Sequence, residues 1–413
     1  MIYFTELENL PTYTANGEYI GRLIDLAINP SQNPLLIGTY LVQTPAKTLF
    51  CIDRGQISTI SVRSAQTSVS MSELRECAVD ESFIRIKKDV LDQQIIDVND
   101  QKVVRVGDVD FDIQPGEKNT DLRILAVNVG GAAAIRRLLQ GLLAKHRIRQ
   151  VSSIFPPKTI PWEFVSLIEP DPARRVKLRI SYNRLAQLHP ADLADILEEL
   201  SRDEQRSVIE SLDDETAAEA VSEISTRMQV ALLNSLSAGR AADIVEEMAP
   251  DEAADVLQEL SPEASAEVLA NMETEEANEV RELLGFEENT AGGLMTTEFV
   301  VISESATVEE SIAALKDFTG SLELLHAIYL VSSNAVLVGV VPLANIALSK
   351  RDAPMRDLTA EQLISVPFHA DQKEVIGMFR KYNLLSLPVV DDNDRLLGIV
   401  TADDVLELVT KES

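Results

Sequence analysis

A twelve-residue repeat occupies the centre of the chain and constrains its fold more than any other feature. Residues 189–284 divide into eight units of twelve residues with no gap. In each unit the fifth, eighth, ninth and twelfth positions are mainly apolar, which is the i, i+3, i+4, i+7 pattern of an amphipathic helix. Ser or Asp often opens a unit as a helix N-cap, and proline often follows, where a helix needs no N–H donor. The repeat therefore predicts a stack of short helices, an α-solenoid.

Most of the acidic excess of the chain lies in this repeat. The 413 residues carry a net charge of −30, and residues 189–284 hold 26 acids and 5 bases, a net charge of −21, with no lysine. Two carboxylates about 6 Å apart repel by roughly 0.7 kcal/mol in water and about 3 kcal/mol at an effective dielectric constant of 20. A compact solenoid is therefore expected to bind a counter-cation, and oxygen ligands without Cys or His favour Mg²⁺ or Ca²⁺. The alternative is a helix face that is only solvated.

Two copies of one α/β plan follow the repeat. Residues 327–341 and 384–400 each have the pattern of strand, polar turn and strand, and a helical stretch precedes each of them, at 309–318 and 372–382. This arrangement resembles a tandem pair of CBS domains that covers about residues 290–411. The resemblance implies two small α/β domains.

CBS pairs commonly bind adenine nucleotides, and the resemblance assigns the ribose to Thr401 and Asp404. A hydroxyl and a carboxylate three residues apart at a helix start can hold a ribose diol, and the helix N-terminus favours phosphate. The matching residues of the first copy are Pro342 and Asn345, so at most one nucleotide site is expected. The alternative is that Thr401 is an N-cap and Asp404 a first-turn acid that interacts with the helix dipole.

An acidic helical repeat that leads into a CBS pair resembles the cytoplasmic part of the MgtE family of magnesium channels and transporters. The residues that carry this resemblance are PDEAADVLQELSPE (250–263), TAGGLMTTEFV (290–300) and LLSLPVVDDNDRLLGIVTADDVLELV (384–409), together with the repeat. In that family the two parts dimerise and bind Mg²⁺ at acidic interfaces. The resemblance implies Mg²⁺ as a ligand and a homodimer that forms through the CBS pair.

Carried over residue by residue, the implied metal ligands are acids at two helix starts: Asp251, Glu252, Asp255, Asp403, Asp404 and Glu407. Asn383 stands where many relatives have an acid, which is expected to remove one ligand. Family members continue into a membrane domain that forms the pore, whereas this chain ends at Ser413. The resemblance therefore implies a soluble Mg²⁺-responsive regulatory protein with no pore of its own. The alternative function is an adenine-nucleotide-sensing adaptor whose solenoid and barrels are protein-docking scaffolds.

The first 168 residues lack the repeat and contain a faint duplication. NGEYIGRLIDLAI (16–28) matches NDQKVVRVGDVDF (99–111), and an apolar strand follows each of them. The pattern resembles a pair of PRC-barrel domains, small β-barrels used for docking, so an unknown protein partner is expected there. RRLLQGLLAKHR (136–147) predicts a basic amphipathic helix. This helix could contact an anionic membrane surface, but docking on the acidic solenoid is favoured.

The sequence thus predicts a multidomain protein of α and β structure, with an N-terminal β-barrel-like pair, a central α-solenoid of short helices and a C-terminal α/β CBS pair. The predicted domains are a PRC-barrel-like domain at 1–85, a second one with the basic helix at 86–170, an MgtE N-type acidic α-solenoid at 181–285, and CBS domains at 290–351 and 352–413.

Composition and motifs exclude several classes of protein. The net charge of −30 would repel nucleic acid. Two cysteines are too few for a disulfide framework, and with no signal peptide or membrane-spanning stretch a reducing, cytoplasmic location is expected. The four histidines are scattered, and no HExxH, GxSxG or Walker motif occurs, so no enzyme activity is predicted.

Overall fold

The structure is a computed structural model that describes residues 2–30, 32–76, 82–116, 119–130, 158–169, 171, 183–318, 320, 322 and 325–411. The segment predicted as a basic helix, 136–147, lies outside the described residues. Contacts divide the chain into two units, Met1–Asp213 and Asp214–Ser413. Each unit is described by itself.

The first unit begins with two β-sheets. The larger has the strand order β5-β4-β3-β2-β7-β6, with β8 paired to β3, and its strands are β2 (Pro11–Tyr13), β3 (Tyr19–Ile28), β4 (Ile37–Gln43), β5 (Leu49–Asp53), β6 (Ile57–Ile60), β7 (Ala65–Thr67) and β8 (Ile84–Arg85). The second has the order β1-β11-β12-β13, from β1 (Ile2–Tyr3), β11 (Asp108–Pro115), β12 (Thr120–Asn128) and β13 (Thr159–Pro161). A three-stranded sheet, β10-β9-β14, contains β9 (Gln94–Asp97), β10 (Lys102–Arg105) and β14 (Val165–Leu167). One short helix, α1 (Phe4–Leu7), follows β1.

One hydrophobic core extends across both halves of this β region. Its fully buried side chains include Ile2, Tyr40 and Phe111. Strand β1 pairs with β11, with Ile2 opposite Phe111, so the first strand of the chain joins the second sheet. The domain boundary at residue 85 stays a prediction, and the core is continuous across it.

Asp25 and Asp108 occupy matching positions of the sequence duplication and have the same role. Both are buried, and Oδ1 of each accepts hydrogen bonds from two backbone N–H groups. The donors are Leu26 and Lys87 for Asp25, both at 2.8 Å, and Val109 and Thr5 for Asp108, at 3.0 and 3.2 Å. Buried backbone donors need such partners, so the repeated Asp satisfies the backbone at equivalent places.

Cys51 on β5 is disulfide-bonded, and the chain contains only one other cysteine, Cys77. Cys77 lies outside the described residues. The cysteine count predicted no disulfide framework and gave no signal for a disulfide at Cys51.

Residues 190–283, all of which are described, form eight helices, as the repeat predicts. They are α2 (Pro190–Glu199), α3 (Arg202–Ile209), α4 (Asp214–Ser222), α5 (Thr226–Leu233), α6 (Ala238–Glu246), α7 (Pro250–Glu259), α8 (Pro262–Asn271) and α9 (Thr274–Leu283). Serine caps the starts of α6 and α8: Ser237 Oγ accepts from Arg240 N–H at 3.3 Å, and Ser261 Oγ from Ala264 N–H at 3.2 Å. These two helices therefore begin directly after the first position of their repeat unit, where the capping serine stands.

The helices of the second unit pack on their second neighbours along the chain. Helix α4 contacts α6, α5 contacts α7, α6 contacts α8 and α7 contacts α9. The apolar stripe makes these contacts, since Ala253, Val256 and Leu257 are each no more than 1% exposed. In the first unit, α2 contacts β10, where Glu199 Oε2 accepts from Val103 N–H at 3.0 Å.

Two α/β modules end the chain, and their class agrees with the sequence prediction. The first contains β15 (Val300–Ser303), α10 (Val308–Asp317), β16 (Ala327–Val331), β17 (Leu337–Pro342) and α11 (Leu343–Ala347). The second contains β18 (Val366–Pro367), α12 (Gln372–Tyr382), β19 (Ser386–Val390), β20 (Leu396–Thr401) and α13 (Ala402–Lys411). In each module a parallel pair of strands is followed by an antiparallel pair. Asn383 ends α12 with φ of 53°, a left-handed cap that asparagine tolerates well.

Because Leu257 belongs to the buried apolar stripe, shortening its side chain is predicted to lower the stability of the fold strongly. Replacing Leu257 with Ala removes buried apolar atoms and leaves a cavity, so the free energy of unfolding should fall by about 2–5 kcal/mol. The exposed neighbour Gln258 provides the control, since Gln258→Ala should change it by less than about 0.5 kcal/mol. Denaturant unfolding followed by circular dichroism measures both, and equal effects would contradict the packing.

Candidate metal and nucleotide site

Asp251 lies at the start of α7. Pro250 occupies the first helical position, Ala249 provides no side-chain cap, and Asp251 and Glu252 are the acids of the first turn. The N-terminal end of a helix carries a partial positive charge that stabilises such acids. Asp251 is half-buried, and its Oδ1 is itself buried and accepts no hydrogen bond from the described residues. One buried carboxylate oxygen is thus left without a hydrogen-bond partner among them.

Asp404 lies in the first turn of α13, directly after β20. Its Oδ2 accepts hydrogen bonds from the Thr401 backbone N–H at 3.1 Å and from the Thr401 hydroxyl at 2.5 Å. Thr401 is 2% exposed. The pair therefore has the arrangement of an N-cap and a first-turn acid, and it also holds a hydroxyl and a carboxylate side by side.

Asp251 and Asp404 interact with each other across these two helix starts. Burial is the largest cause that raises the pKa of both carboxyl groups, to about 7 for Asp251 and about 8 for Asp404. The charge of Glu252 adds to the shift of Asp251, and the charge of Asp251 adds to that of Asp404. Two carboxylates that repel in a site of low polarity are stabilised by a proton or by a cation.

The other predicted ligands lie around this pair. Glu252 is exposed and accepts a hydrogen bond from the Ser222 hydroxyl. Asp255 is exposed, and its charge raises the pKa of Asp251. Asp403 is exposed as well, and its charge raises the pKa of Asp404. Glu407 belongs to α13, but its side chain lies outside the described residues. The charges of these acids thus act on Asp251 and Asp404 at the two helix starts.

The chemistry of this donor set fits a hard divalent cation. Its potential ligands are carboxylate oxygens, which Mg²⁺ and Ca²⁺ prefer. The buried and unpartnered Asp251 Oδ1 is the observation that indicates a missing positive charge. Asp251 and Asp404 could hold the ion directly, and the exposed acids could do so through water.

The nucleotide prediction involves the same helix start. Thr401 and Asp404 offer the hydroxyl and carboxylate that the resemblance assigns to a ribose. In the first module the corresponding Asn345 uses its amide differently, since Nδ2 donates to the Leu358 carbonyl at 2.9 Å. The geometry therefore leaves the second module as the candidate for a nucleotide.

A second acidic cluster was not identified as a site from the sequence. Glu246 at the end of α6 and Glu273 and Glu276 at the start of α9 place one oxygen each within 4.8 Å of one another. Burial, followed by the charge of Glu273 and Glu276, raises the pKa of Glu246. The cluster faces a cavity of about 600 Å³ whose acidic lining residues are Asp214, Asp243, Glu246, Glu247, Glu273, Glu276, Glu279 and Glu298. The sequence signal for this cluster is the acidic excess of the repeat, in which all three residues lie.

Comparison with protein families finds matches over the second half of the chain. Residues 188–289 match the MgtE intracellular N domain. Residues 291–349 and 355–411 match the CBS domain. Among the described residues, no helix is both long and apolar enough to cross a membrane.

Curated relatives include magnesium transporters. The magnesium transporter MgtE of Enterococcus faecalis is 38% identical over 134 residues, which are 32% of this chain and 30% of that protein. MgtE of Thermus thermophilus is 36% identical over the same shares. The chain thus spans about 30% of the length of these relatives. A match to inosine-5'-monophosphate dehydrogenase of Thermoplasma acidophilum covers 17% of the chain and concerns only CBS domains.

Two solved structures share this architecture. The soluble part of a magnesium transporter is 30% identical, with a TM-score of 0.53, and the match covers 58% of this chain and 94% of that one. The cytosolic domain of the Mg²⁺ channel MgtE in complex with ATP is 32% identical, with a TM-score of 0.52, and the match covers 56% and 94%. Both matches extend over nearly all of the compared chain.

The raised pKa values predict how pH changes the effect of Asp404→Asn. Asp251 and Asp404 bind protons more tightly in the folded chain than in the unfolded one, where their pKa is near 3.8. Their stabilising contribution is therefore complete below about pH 4 and is lost as pH rises through 7 to 8. Asparagine imitates the protonated acid, so without divalent cations the melting temperature of the variant should differ less from that of the wild type at pH 5 than at pH 8.5, where it should be about 3–6 °C higher.

The exposed Asp403 supplies the control for this measurement. Asp403→Asn should shift the melting temperature by less than Asp404→Asn at pH 8.5, because its carboxylate remains hydrated. Melting curves by differential scanning calorimetry at both pH values make the comparison. A difference between wild type and Asp404→Asn that does not change with pH would contradict the raised pKa.

Proposed function

This chain belongs to the family in which an MgtE intracellular N domain leads into a CBS pair, and from that premise we propose that it is a Mg²⁺-responsive regulatory protein. The proposed ligand is a Mg²⁺ ion held between α7 and α13. The observations that carry the proposal are the electrostatic repulsion between Asp251 and Asp404 and the buried Asp251 Oδ1, which has no hydrogen-bond partner among the described residues. A cation bound here would attract both carboxylates and so outweigh the repulsion between Asp251 and Asp404.

The surrounding charge supports a response to Mg²⁺ rather than permanent occupancy. Asp251 and Asp404 belong to different modules of the second unit, the helical repeat and the second CBS module. Without a cation their repulsion opposes close packing, and the exposed acids Glu252, Asp255 and Asp403 add to it. Binding and release of Mg²⁺ would therefore favour a closed and an open arrangement of these modules.

We also propose that the chain forms a homodimer through its CBS pair. Helix α13 presents Leu406 and Val409, which are 67% and 43% exposed. Exposed apolar side chains on one helix are typical of a surface that a partner covers. The N-terminal β region is proposed as the docking site for a protein partner of unknown identity.

A Mg²⁺ titration of the full chain tests the cation proposal. Calorimetry with millimolar Mg²⁺ should show binding heat, and small-angle scattering should show a smaller radius of gyration and the mass of a dimer. The double variant Asp251→Asn, Asp404→Asn should bind Mg²⁺ at least tenfold more weakly. Because it lacks the repulsion, it should also be compact without Mg²⁺.

Glu259→Gln is the matched control, since Glu259 is an exposed acid at the other end of α7. This variant should bind Mg²⁺ and contract as the wild type does. Wild-type protein that gives neither heat nor contraction would exclude the Mg²⁺ response.

Adenine-nucleotide sensing is the second candidate function. The Thr401–Asp404 pair favours it, and one similar solved structure is a complex with ATP. Titration with ATP, ADP and AMP should show binding that Asp404→Ala removes and Asp403→Ala retains. Asp251→Asn separates the two functions, because it removes a cation carboxylate and leaves Thr401 and Asp404 intact. An unchanged nucleotide titration of Asp404→Ala would exclude this ribose site.

A further inference from the structure

Tyr329 links the first CBS module to the second through a buried hydrogen bond. It lies on β16, is 1% exposed, and packs edge to face on Phe299, with ring centroids 5.9 Å apart. Its hydroxyl lies 2.6 Å from the hydroxyl of Ser386 on β19. Tyr329 also belongs to a hydrophobic core that includes Ile399 of the second module. A buried phenol needs such a polar partner, so the bond to Ser386 is part of the packing between the modules.

Ser386 lies beside the candidate ribose pair. In the antiparallel pairing of β19 with β20, Ser386 is directly opposite Thr401. The pairing continues to the start of α13, where Ala402 N–H donates to the Leu385 carbonyl at 3.0 Å. Directly opposite residues place their side chains on the same face of a sheet, with Cβ atoms about 4.5–5.5 Å apart. The Ser386 hydroxyl is therefore a neighbour of the Thr401 hydroxyl.

The Thr401 hydroxyl has one proton and gives it to Asp404 Oδ2. Its oxygen can still accept a hydrogen bond, and a ribose hydroxyl is the donor that the candidate site needs there. Serine and threonine hydroxyls that face each other across two strands can also hydrogen-bond to each other. Ser386 is thus a potential competitor for the oxygen that would bind the ribose.

We propose that Tyr329 is a positioning residue of the candidate nucleotide site, because it accepts the Ser386 proton and so leaves the Thr401 oxygen to a ribose hydroxyl. This inference rests on the proposed adenine-nucleotide site. Pro342 and Asn345 replace the ribose pair in the first module. In this arrangement the first module nevertheless acts on the site of the second, through one phenol hydroxyl.

Calorimetric titration of the full chain with ATP, without divalent cations, tests the role of Tyr329. Tyr329→Phe keeps the ring and releases the Ser386 hydroxyl, so the Kd for ATP should rise about threefold or more. Adding Ser386→Ala removes the competing hydroxyl, and the double variant should bind ATP nearly as the wild type does. The Kd for dideoxy-ATP, which lacks both ribose hydroxyls, should be the same for the wild type and Tyr329→Phe.

Tyr382 supplies a matched control in the second module. It lies on α12, where the Lys381 ammonium is 4.6 Å from the centre of its ring, a contact that phenylalanine retains. Tyr382→Phe should leave the Kd values of both nucleotides unchanged. Melting temperatures without nucleotide report whether each variant is folded.

The outcomes separate this inference from the proposal on which it rests. Wild-type protein that binds no ATP would overturn both. ATP binding that Tyr329→Phe leaves unchanged would overturn only the role of Tyr329. The same holds if Tyr329→Phe weakens ATP and dideoxy-ATP equally, since general loosening of the modules would do so, or if the double variant binds ATP no more tightly than Tyr329→Phe.

Discussion

The repulsion between Asp251 and Asp404 is the interaction on which the organisation of the second unit depends. Each carboxylate is placed by a helix start, where a partial positive charge favours an acid. Their partial burial removes hydration that would otherwise stabilise both charges, and the pKa of each rises. The contact is therefore sensitive to protons and cations in solution. A surface pair of the same residues would be screened by water and would show little of this sensitivity.

The repeat explains why an acid stands at this contact. Each unit of twelve residues contains a helix of about ten residues. A new helix start therefore follows every twelve residues along the repeat. Apolar positions pack each helix on its second neighbour, which leaves the starts and ends of the helices to carry charge. In α7 the charge of the acidic start acts on Asp404 of the second CBS module, whereas in α9 the acidic start lines the cavity with Glu246. The same local pattern thus gives two acidic surfaces.

The sequence predicted the helices well because their apolar period and caps are local signals, and the eight helices begin and end close to the repeat boundaries. The CBS resemblance also named Thr401 and Asp404, which are hydrogen-bonded to each other in the structure, and their role as a ribose site stays a prediction. The electrostatic interaction of Asp251 with Asp404 could not be predicted from periodicity, because the two residues are 153 positions apart in the sequence and interact only through the tertiary fold. Glu273 and Glu276 were missed because their importance arises only when α9 packs near the end of α6.

The pairing of β1 with β11 determines when the first unit can complete its fold during synthesis. Ile2 must wait for Phe111, so about a hundred residues emerge from the ribosome before the first strand finds its partner. Contacts of such large sequence separation slow folding, because a long loop must close before the contact stabilises it. During that interval the apolar side chains of Ile2 and Phe4 remain uncovered. The N-terminal β region is accordingly the part of the chain most exposed to aggregation as it is made.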